Sequence, residues 1–357
     1  MRLGIIGFEA SGKTTIFNAL TRGNLPTGSL EGSGRIEVHS AAVDVPEPRL
    51  APLTELYHPK KTTYAKVTYA DIGGMAVGAG QEGLPGALLN SLSPMDGLLF
   101  VVRAFESDAV PHPLQNVNPQ RDLEALSEEF LLHDMITVER RIQRLDEEHA
   151  RGGRDRAAVE RELELFKRAQ SALEDGQPLR ALPFNDSERT ALKGFGLLTL
   201  TPALVLVNLG EGQEMPRINL AAGGMPVMGL QGELEMEIAQ LDPAEEKAFL
   251  EEYGIKEPGR ERVIRASYEH LGLISFFTVG EDEVRAWTLP SGSTCLDAAG
   301  TIHTDLARGF IRAEVIRWDV LLELGGFSEA RKQGKLRVEG KEGPVTDGDI
   351  VHIRFNV

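Results

Sequence analysis

The sequence has one cysteine, Cys295, in 357 residues, and it has no long apolar run. A single thiol cannot form an intramolecular disulfide, and a cysteine-based structural zinc site is not expected. No apolar stretch approaches the roughly 18 residues that a membrane-spanning helix needs. The apolar stretch 3–8 is too short for the core of a signal peptide. These absences predict a cytoplasmic protein without membrane segments.

Positive charge is also scarce, since 38 Lys and Arg residues face 54 Asp and Glu residues, giving a net charge of −16. This excess of negative charge argues against nonspecific binding of nucleic acid over the whole protein surface, but it does not exclude a local basic patch. Hydrophobic residues make up 41% of the chain, which is enough to bury a sizeable core. At roughly 150 residues per domain, the length predicts two or three domains.

Four apolar runs bounded by glycine, proline or charge have the composition of buried parallel strands: residues 3–6, 67–71, 98–104 and 203–208. Their wide spacing leaves room for crossover helices and favours the α/β class. Past residue 275, strand-like segments at 284–289, 311–316 and 350–356 predict a small β-rich domain. We expect an α/β domain over residues 1–120 and 200–274, a helical insertion over 121–199, and the β-rich domain over 275–357.

The insertion is predicted from apolar residues at alternating spacings of four and three: Leu131, Met135, Val138, Ile142 and Leu145. A second stripe contains Val159, Leu163, Phe166 and Leu173, and the turn between the stripes is Arg151-Gly152-Gly153-Arg154. This pattern predicts an antiparallel coiled-coil hairpin. Because the heptads are short, two ordinary surface helices are the alternative.

A glycine-rich loop follows the first predicted strand and satisfies the pattern G-x-x-x-x-G-K-[ST]. In such a P-loop the backbone N–H groups converge on phosphate oxygens, Lys13 reaches the β- and γ-phosphates, and the Thr14 hydroxyl holds Mg²⁺. The helix that follows adds its positive N-terminal dipole. The predicted nucleotide-binding residues here are Gly7, Glu9, Ala10, Ser11, Gly12, Lys13, Thr14 and Thr15.

A second carboxylate for the metal is predicted at Asp71, which ends an apolar run and opens a D-x-x-G spacing closed by Gly74. There the Asp71 carboxylate would lie beside Mg²⁺, through water, and the Gly74 N–H would meet a γ-phosphate. Thr14 and Asp71 are therefore the predicted metal residues, and Lys13 and Gly74 are predicted to take part in catalysis.

Base recognition is predicted for Asn208, Leu209 and Glu211, which stand where GTPases carry N-K-x-D. In that motif a short Asp carboxylate accepts two hydrogen bonds from guanine. Glu211 is one methylene longer and Leu209 replaces the lysine, so guanine selectivity should weaken. ATP is favoured as the nucleotide, and GTP remains the alternative.

With these motifs the chain resembles the YchF/Obg-like ATPase subfamily of the Obg-related translation-factor NTPases. The resemblance runs through nearly the whole length, and its most specific stretches are FTVGEDEVRAWT at 277–288, AAGTIHTD at 298–305, GFIRAEV at 309–315, GKLRVEG at 334–340 and DGDIVHIRFNV at 347–357. It implies a P-loop G-domain, an inserted helical domain and a C-terminal TGS domain of the ubiquitin-like β-grasp type. It also implies a slow Mg²⁺-dependent ATPase that associates with the ribosome or ribosomal RNA.

The resemblance further implies that a hydrophobic residue, here Met75, replaces the water-positioning glutamine, and that a loop histidine, here His112, helps instead. Three segments depart from the family pattern. Glu9-Ala10-Ser11 stands where the family has Pro-Asn-Val, and the first switch region, residues 26–35, is glycine-rich. The segment 230–233, Leu-Gln-Gly-Glu, replaces the family's small-residue motif that packs on the base. These departures keep a second hypothesis open.

Under that second hypothesis the protein is a nucleotide-binding scaffold with degenerate hydrolysis that contacts the ribosome or RNA through its appended domains. Its candidate contacts are the basic residues of the last domain, Arg331, Lys332, Lys335, Arg337 and Lys341. The alternative is a solvated surface face, since Glu329, Glu339 and Glu342 are interleaved with them.

Overall fold

The protein is described by a computed structural model for residues 1–27, 38–73, 75, 84–151, 155–219 and 224–356. The predictions for Gly74, for most of the first switch region and for the turn at 152–154 lie outside these residues. The chain forms two compact units: Met1–Ala41 with Thr68–Arg260, and Ala42–Val67 with Glu261–Val357. No helix in the described part of the chain is both long enough and apolar enough to cross a membrane.

The first unit is built around a six-stranded sheet with the order β2-β4-β1-β5-β6-β7. Its strands are β1 (Arg2–Ile6), β2 (Val38–Asp44), β4 (Lys66–Ile72), β5 (Gly97–Arg103), β6 (Ala203–Asn208) and β7 (Val227–Leu230). The pairings of β1 with β4 and β5, of β5 with β6 and of β6 with β7 are parallel. Every residue of β5 and β6 is buried, as expected of parallel strands covered on both faces.

The helices of this unit are α1 (Lys13–Thr21), α3 (Gly86–Leu92), α4 (Pro119–Arg151), α5 (Arg156–Glu174), α6 (Asp186–Lys193), α7 (Gly232–Gln240) and α8 (Pro243–Glu252). Helix α9 (Gly259–His270) begins in this unit and belongs mostly to the second. Helices α4 and α5 pack on each other through a core that contains Val138, Leu145, Val159 and Phe166. The predicted stripes therefore face one another. Asp155 caps α5 by accepting a hydrogen bond from the Ala157 N–H.

The second unit has its own mixed six-stranded sheet, with the order β11-β10-β12-β8-β9-β3. Its strands are β3 (Lys61–Thr63), β8 (Leu273–Thr278), β9 (Glu283–Pro290), β10 (Phe310–Arg317), β11 (Arg337–Glu339) and β12 (Asp349–Phe355). Its helices are α2 (Leu50–Tyr57), α10 (Cys295–Ile302), α11 (Thr304–Arg308), α12 (Trp318–Leu324) and α13 (Phe327–Lys332). Cys295 lies in the core of this unit and is fully buried.

The α/β class is confirmed, and so are the strands expected at residues 3–6, 67–71, 98–104, 203–208, 284–289, 311–316 and 350–356. The sequence did not indicate that residues 42–67 join the unit of the β-rich end. There β3 pairs in parallel with β9, and Arg49 forms ion pairs with Glu47 and Asp347. Arg49 and Asp347 are 298 residues apart in the chain, so no local sequence pattern could predict their pairing.

Candidate functional site

Four polar or glycine-rich segments meet at the carboxyl edge of the first sheet. The loop 7–12 follows β1, Asp71 lies at the end of β4, and Arg103 and Asn208 end β5 and β6. The register places Ile5 beside Asp71 and Arg103 beside Asn208. In open α/β sheets, ligands bind outside the carboxyl ends of the strands. The sheet therefore brings the predicted loop, metal residue and base-motif residue to one edge.

The loop has a backbone that only particular residues permit. Gly12 lies at φ 87° and opens α1, and Ala10 adopts the left-handed region at φ 61°. A Cβ on Gly7 would lie 2.3 Å from the Val101 carbonyl oxygen, and one on Gly12 would lie 2.1 Å from the side-chain nitrogen of Asn208. Both glycines are thus required by close approach, and they leave the loop curled around the start of α1.

The loop also contains polar groups suited to an anion. The Ser11 hydroxyl is buried and, within the described residues, has no hydrogen-bond partner. Lys13 is 7% exposed, and its Nζ donates a hydrogen bond to the Phe8 carbonyl oxygen at 2.8 Å. Burial lowers the pKa of Lys13 to about 8, against the opposing charges of Asp71 and Glu9. The hydrogen-bond acceptor of the Lys13 ammonium is a neutral carbonyl, so an anion bound in the loop would give it a negatively charged partner.

Thr14 and Asp71 form the predicted oxygen pair. The Thr14 hydroxyl donates to Asp71 Oδ2 at 2.7 Å, and Asp71 is buried. Hydroxyl and carboxylate oxygens are hard donors that suit Mg²⁺, which binds one or two protein ligands together with waters and substrate phosphates. Among the described residues no group of three or more His, Cys, Asp or Glu is placed to hold a metal. The donor set therefore fits Mg²⁺ held jointly with phosphate.

Asn208 braces the loop from the neighbouring strand end. Its Nδ2 donates to the Ser11 carbonyl at 3.1 Å, and its Oδ1 accepts from the Gly232 N–H at 3.2 Å. Leu209 is buried, whereas Glu211 is exposed on the turn that follows. Both polar groups of the Asn208 side chain are thus bonded to backbone groups, of Ser11 and Gly232. Of the predicted base-recognition residues, Glu211 is the one whose polar group is exposed.

His112 lies beside the loop with both ring nitrogens engaged. Its side chain is 4% exposed, its Nδ1 accepts from the Leu114 N–H at 3.1 Å, and its Nε2 lies 2.9 Å from Asp122 Oδ2. Since Nδ1 accepts, Nε2 carries the proton and donates to Asp122. His112 lines a small cleft together with Glu9 and Ser11. The ring is therefore close to the loop but directed at a carboxylate.

The structure thus gathers the loop residues, Asp71 and Asn208, while Thr15 follows in the first turn of α1 and Glu211 lies at the rim. Met75 pairs with the loop through its backbone, since its N–H donates to the Gly7 carbonyl at 3.2 Å. Sequence reasoning missed Arg103, whose guanidinium donates to the Ala10 carbonyl at 3.3 Å. The signal that could have identified Arg103 is its position as the one charged residue at the end of an otherwise apolar strand.

In the first sheet the strands from β4 to β7 pair in parallel, and β1 runs through a Gly-Lys-Thr loop into α1, with the Asp71 carboxylate of a neighbouring strand on the threonine hydroxyl. This arrangement defines the class of P-loop nucleoside triphosphatases. Comparisons with known proteins narrow this class. The "Ribosome-binding ATPase YchF" of Bacillus subtilis (strain 168) is 39% identical over 365 residues, covering 99% of this chain and 99% of the relative. That of Escherichia coli O157:H7 is 37% identical over 364 residues, covering 100% and 99%.

A family model described as "YchF-GTPase_C: Protein of unknown function (DUF933)" matches residues 273–356. The solved structure of the Schizosaccharomyces pombe YchF GTPase superposes with a TM-score of 0.84 at 28% identity, covering 99% of this chain and 97% of the other. The chain belongs to the YchF family.

Proposed function

We propose that the protein is a slow, Mg²⁺-dependent ATPase that works at the ribosome. The observation that carries this proposal is the joint placement of the curled loop, the buried Lys13 ammonium and the Thr14–Asp71 oxygen pair at one sheet edge. The proposal also assigns α4 and α5 to the helical hairpin of the family and the C-terminal sheet to its TGS domain. The bacterial relatives described above carry both activities in their names.

Each residue of the site has a distinct role in the proposal. The loop N–H groups and Lys13 bind the phosphates, and Thr14 and Asp71 hold Mg²⁺. When bound, the metal neutralises charge that develops on the transferred phosphoryl group. The sequence pattern assigns Gly74, which lies outside the described residues, the role of donating an N–H to the γ-phosphate. Phosphoryl transfer depends mostly on positioning and charge neutralisation, so no further protein nucleophile is required.

The preference for ATP rests on the chemistry of residues 208–211. A carboxylate held one methylene further out, at Glu211, is poorly placed to accept the two hydrogen bonds that guanine donates, and Leu209, which replaces the lysine of the guanine-binding motif, is buried in the core. The fission-yeast relative is called a GTPase, which keeps GTP as the competing nucleotide. Competition of ATP and GTP for one labelled nucleotide, repeated with Glu211→Asp, decides between them. Stronger GTP binding by wild type would overturn the preference.

His112 orients the attacking water in this proposal, and for that its ring must leave Asp122. Asp122→Ala frees the ring, so it should raise turnover, while His112→Ala should lower turnover with little effect on nucleotide affinity. If His112→Ala hydrolyses ATP at the wild-type rate, the histidine serves only to hold the 105–114 segment, as its two hydrogen bonds also allow.

Hydrolysis itself is tested by phosphate release from ATP under multiple turnover, with and without Mg²⁺. Lys13→Ala should abolish release. Nucleotide binding by wild type without any release, with or without ribosomes, would identify the protein as a nucleotide-binding scaffold, the function left open by Glu9 and Ala10 in the loop.

The ribosome contact is proposed for the basic residues of the C-terminal sheet region. Arg331 and Arg337 are paired with the buried carboxylates Glu314 and Asp349, at 2.7 and 2.8 Å. Lys335 and Lys341 are exposed and are the residues of this group best placed to meet RNA phosphate. Lysine–phosphate contacts release counterions, so such binding weakens steeply with salt.

Co-sedimentation with ribosomes at two salt concentrations tests this surface. The double variant Lys335→Glu/Lys341→Glu should pellet less at low salt and show a shallower salt dependence, by about one unit of slope per lost phosphate contact. The double variant Lys247→Glu/Lys256→Glu reverses two exposed charges outside this surface and serves as the matched control. Equal loss in both variants would show that net charge, not this surface, governs binding.

A further inference from the structure

Arg103 is the largest fully buried side chain of the described residues, at 1% exposure, and it lies beside the phosphate loop. Its three nitrogens donate to three backbone carbonyls: Nε to Phe105 at 3.0 Å, Nη1 to Ala10 at 3.3 Å and Nη2 to Val110 at 2.8 Å. The guanidinium also stacks on the Phe105 ring, 4.3 Å from its centroid. One side chain thus holds three points of the backbone.

The three carbonyls belong to three separate parts of the site. Ala10 is the apex of the phosphate loop and is held in the left-handed region. Phe105 follows β5, and its ring lies 3.6 Å from the Cβ position of Gly12. Val110 lies two residues before His112, within the segment that leads to Asp122. Arg103 therefore connects the phosphate loop to the strand-end segment and to the histidine segment.

Stability alone is a poor reason to place an arginine there. No carboxylate of the described residues lies within ion-pair distance of Arg103, and burial lowers its pKa against the more distant charges of Glu106 and Asp122. A buried charge without an ionic partner carries a desolvation cost that an apolar side chain of similar volume avoids. Local rules of folding are broken most often at functional sites.

We propose that Arg103 is a positioning residue that fixes the apex of the phosphate loop and the 105–112 segment relative to each other. Each of its three nitrogens already donates to a backbone carbonyl, so its proposed role is exerted through these segments. Nucleotide affinity and turnover both depend on it, because the loop amides must already point at the phosphates when the nucleotide arrives. The part of this inference that concerns affinity rests on the proposed function, whereas the part that concerns the two segments does not.

The test compares the full-length wild type with Arg103→Lys and Arg180→Lys. Lysine keeps the positive charge but cannot reach three carbonyls in a fork. Arg180 is the matched control because it is half-buried in the same unit and also donates to a backbone carbonyl, that of Thr199 at 3.3 Å. Arg103→Met, which removes the charge and keeps the volume, is the second variant if the lysine variant folds poorly.

Amide hydrogen exchange of the nucleotide-free proteins is the first readout. We expect exchange in the peptides covering 8–13 and 104–114 to rise about tenfold in the Arg103 variants, and in neither peptide in Arg180→Lys. Unchanged exchange in both peptides, or a uniform rise over the whole chain, would overturn the inference, because a merely structural arginine destabilises the unit without selecting these segments.

Nucleotide affinity is the second readout. The dissociation constant for Mg·ATP should rise about tenfold in the Arg103 variants, equivalent to about 1.4 kcal/mol, and kcat should fall with it. Wild-type affinity and kcat in these variants would also overturn the inference. If wild type itself fails to bind ATP, the proposed function and the affinity half of this inference both fail, while the exchange result still decides whether Arg103 joins the two segments.

Discussion

Lys13 should make nucleotide binding weaken at alkaline pH in a way that follows from its burial. Its pKa in the nucleotide-free protein is lowered from 10.5 to about 8. The phosphates bind the ammonium form of Lys13. Above pH 8 most of the lysine is neutral, so nucleotide binding must be accompanied by uptake of a proton. About a tenth of the lysine is neutral at pH 7 and about nine tenths at pH 9, so the affinity for Mg·ATP should fall about tenfold between these values.

Isothermal titration calorimetry at pH 7, 8 and 9 measures this fall. Repeating the pH 8 titration in two buffers of different ionisation enthalpy counts the protons, and binding should take up about half a proton. Lys13→Arg is the control, since a guanidinium stays charged across this range and its affinity, whatever its value, should not change with pH. A wild-type affinity that is flat from pH 7 to 9 would refute the assignment.

The same lysine should cost stability when no nucleotide is bound. A lowered pKa means that the folded chain binds fewer protons than the unfolded chain between pH 8 and 10.5, so stability rises with pH across that window. At about 1.36 kcal/mol per pH unit, a shift of about 2.5 units corresponds to roughly 3 kcal/mol lost at pH 7. Lys13→Met should therefore raise the free energy of unfolding in urea, by about 2 kcal/mol after the lost hydrogen bond is counted. A less stable Lys13→Met would contradict this reasoning.

Three further predictions concern single side chains. Asn208→Ala leaves two buried backbone groups unpaired and should lower the free energy of unfolding in urea by about 2–4 kcal/mol. Burial raises the pKa of Asp134 to about 6 from 3.8. Between these values the folded chain binds more protons than the unfolded chain, so the free energy of unfolding falls as the pH rises from 4 to 7. The stability of wild type relative to Asp134→Asn should fall by about 3 kcal/mol over that range. Thr14→Val should raise the Mg²⁺ concentration needed for half-maximal ATP binding about tenfold while leaving Mg²⁺-free binding unchanged; equal effects in both would point to misfolding of the loop.

The parts of the site that could be predicted from the sequence are those whose chemistry is local. The Gly-Lys-Thr loop, the carboxylate at Asp71 and the side chain of Asn208 each end an apolar run, and parallel strands bring such ends to one edge. Arg103 could not be assigned a role in this way, because its three partners lie at separations of 2, 7 and 93 residues. The burial of His112 against Asp122 likewise depends on where α4 begins. Segment 42–67 joins the C-terminal sheet through pairings that have no periodic signature in the sequence.

Whether residues 7–14 form a working phosphate-binding loop is tested most directly by titrating the nucleotide-free protein with Mg·ATP in a calorimeter. We expect saturable binding at one site per chain, lost in Lys13→Ala although that variant remains folded. Absence of binding by wild type, or equal binding by Lys13→Ala, would contradict the assignment of this loop.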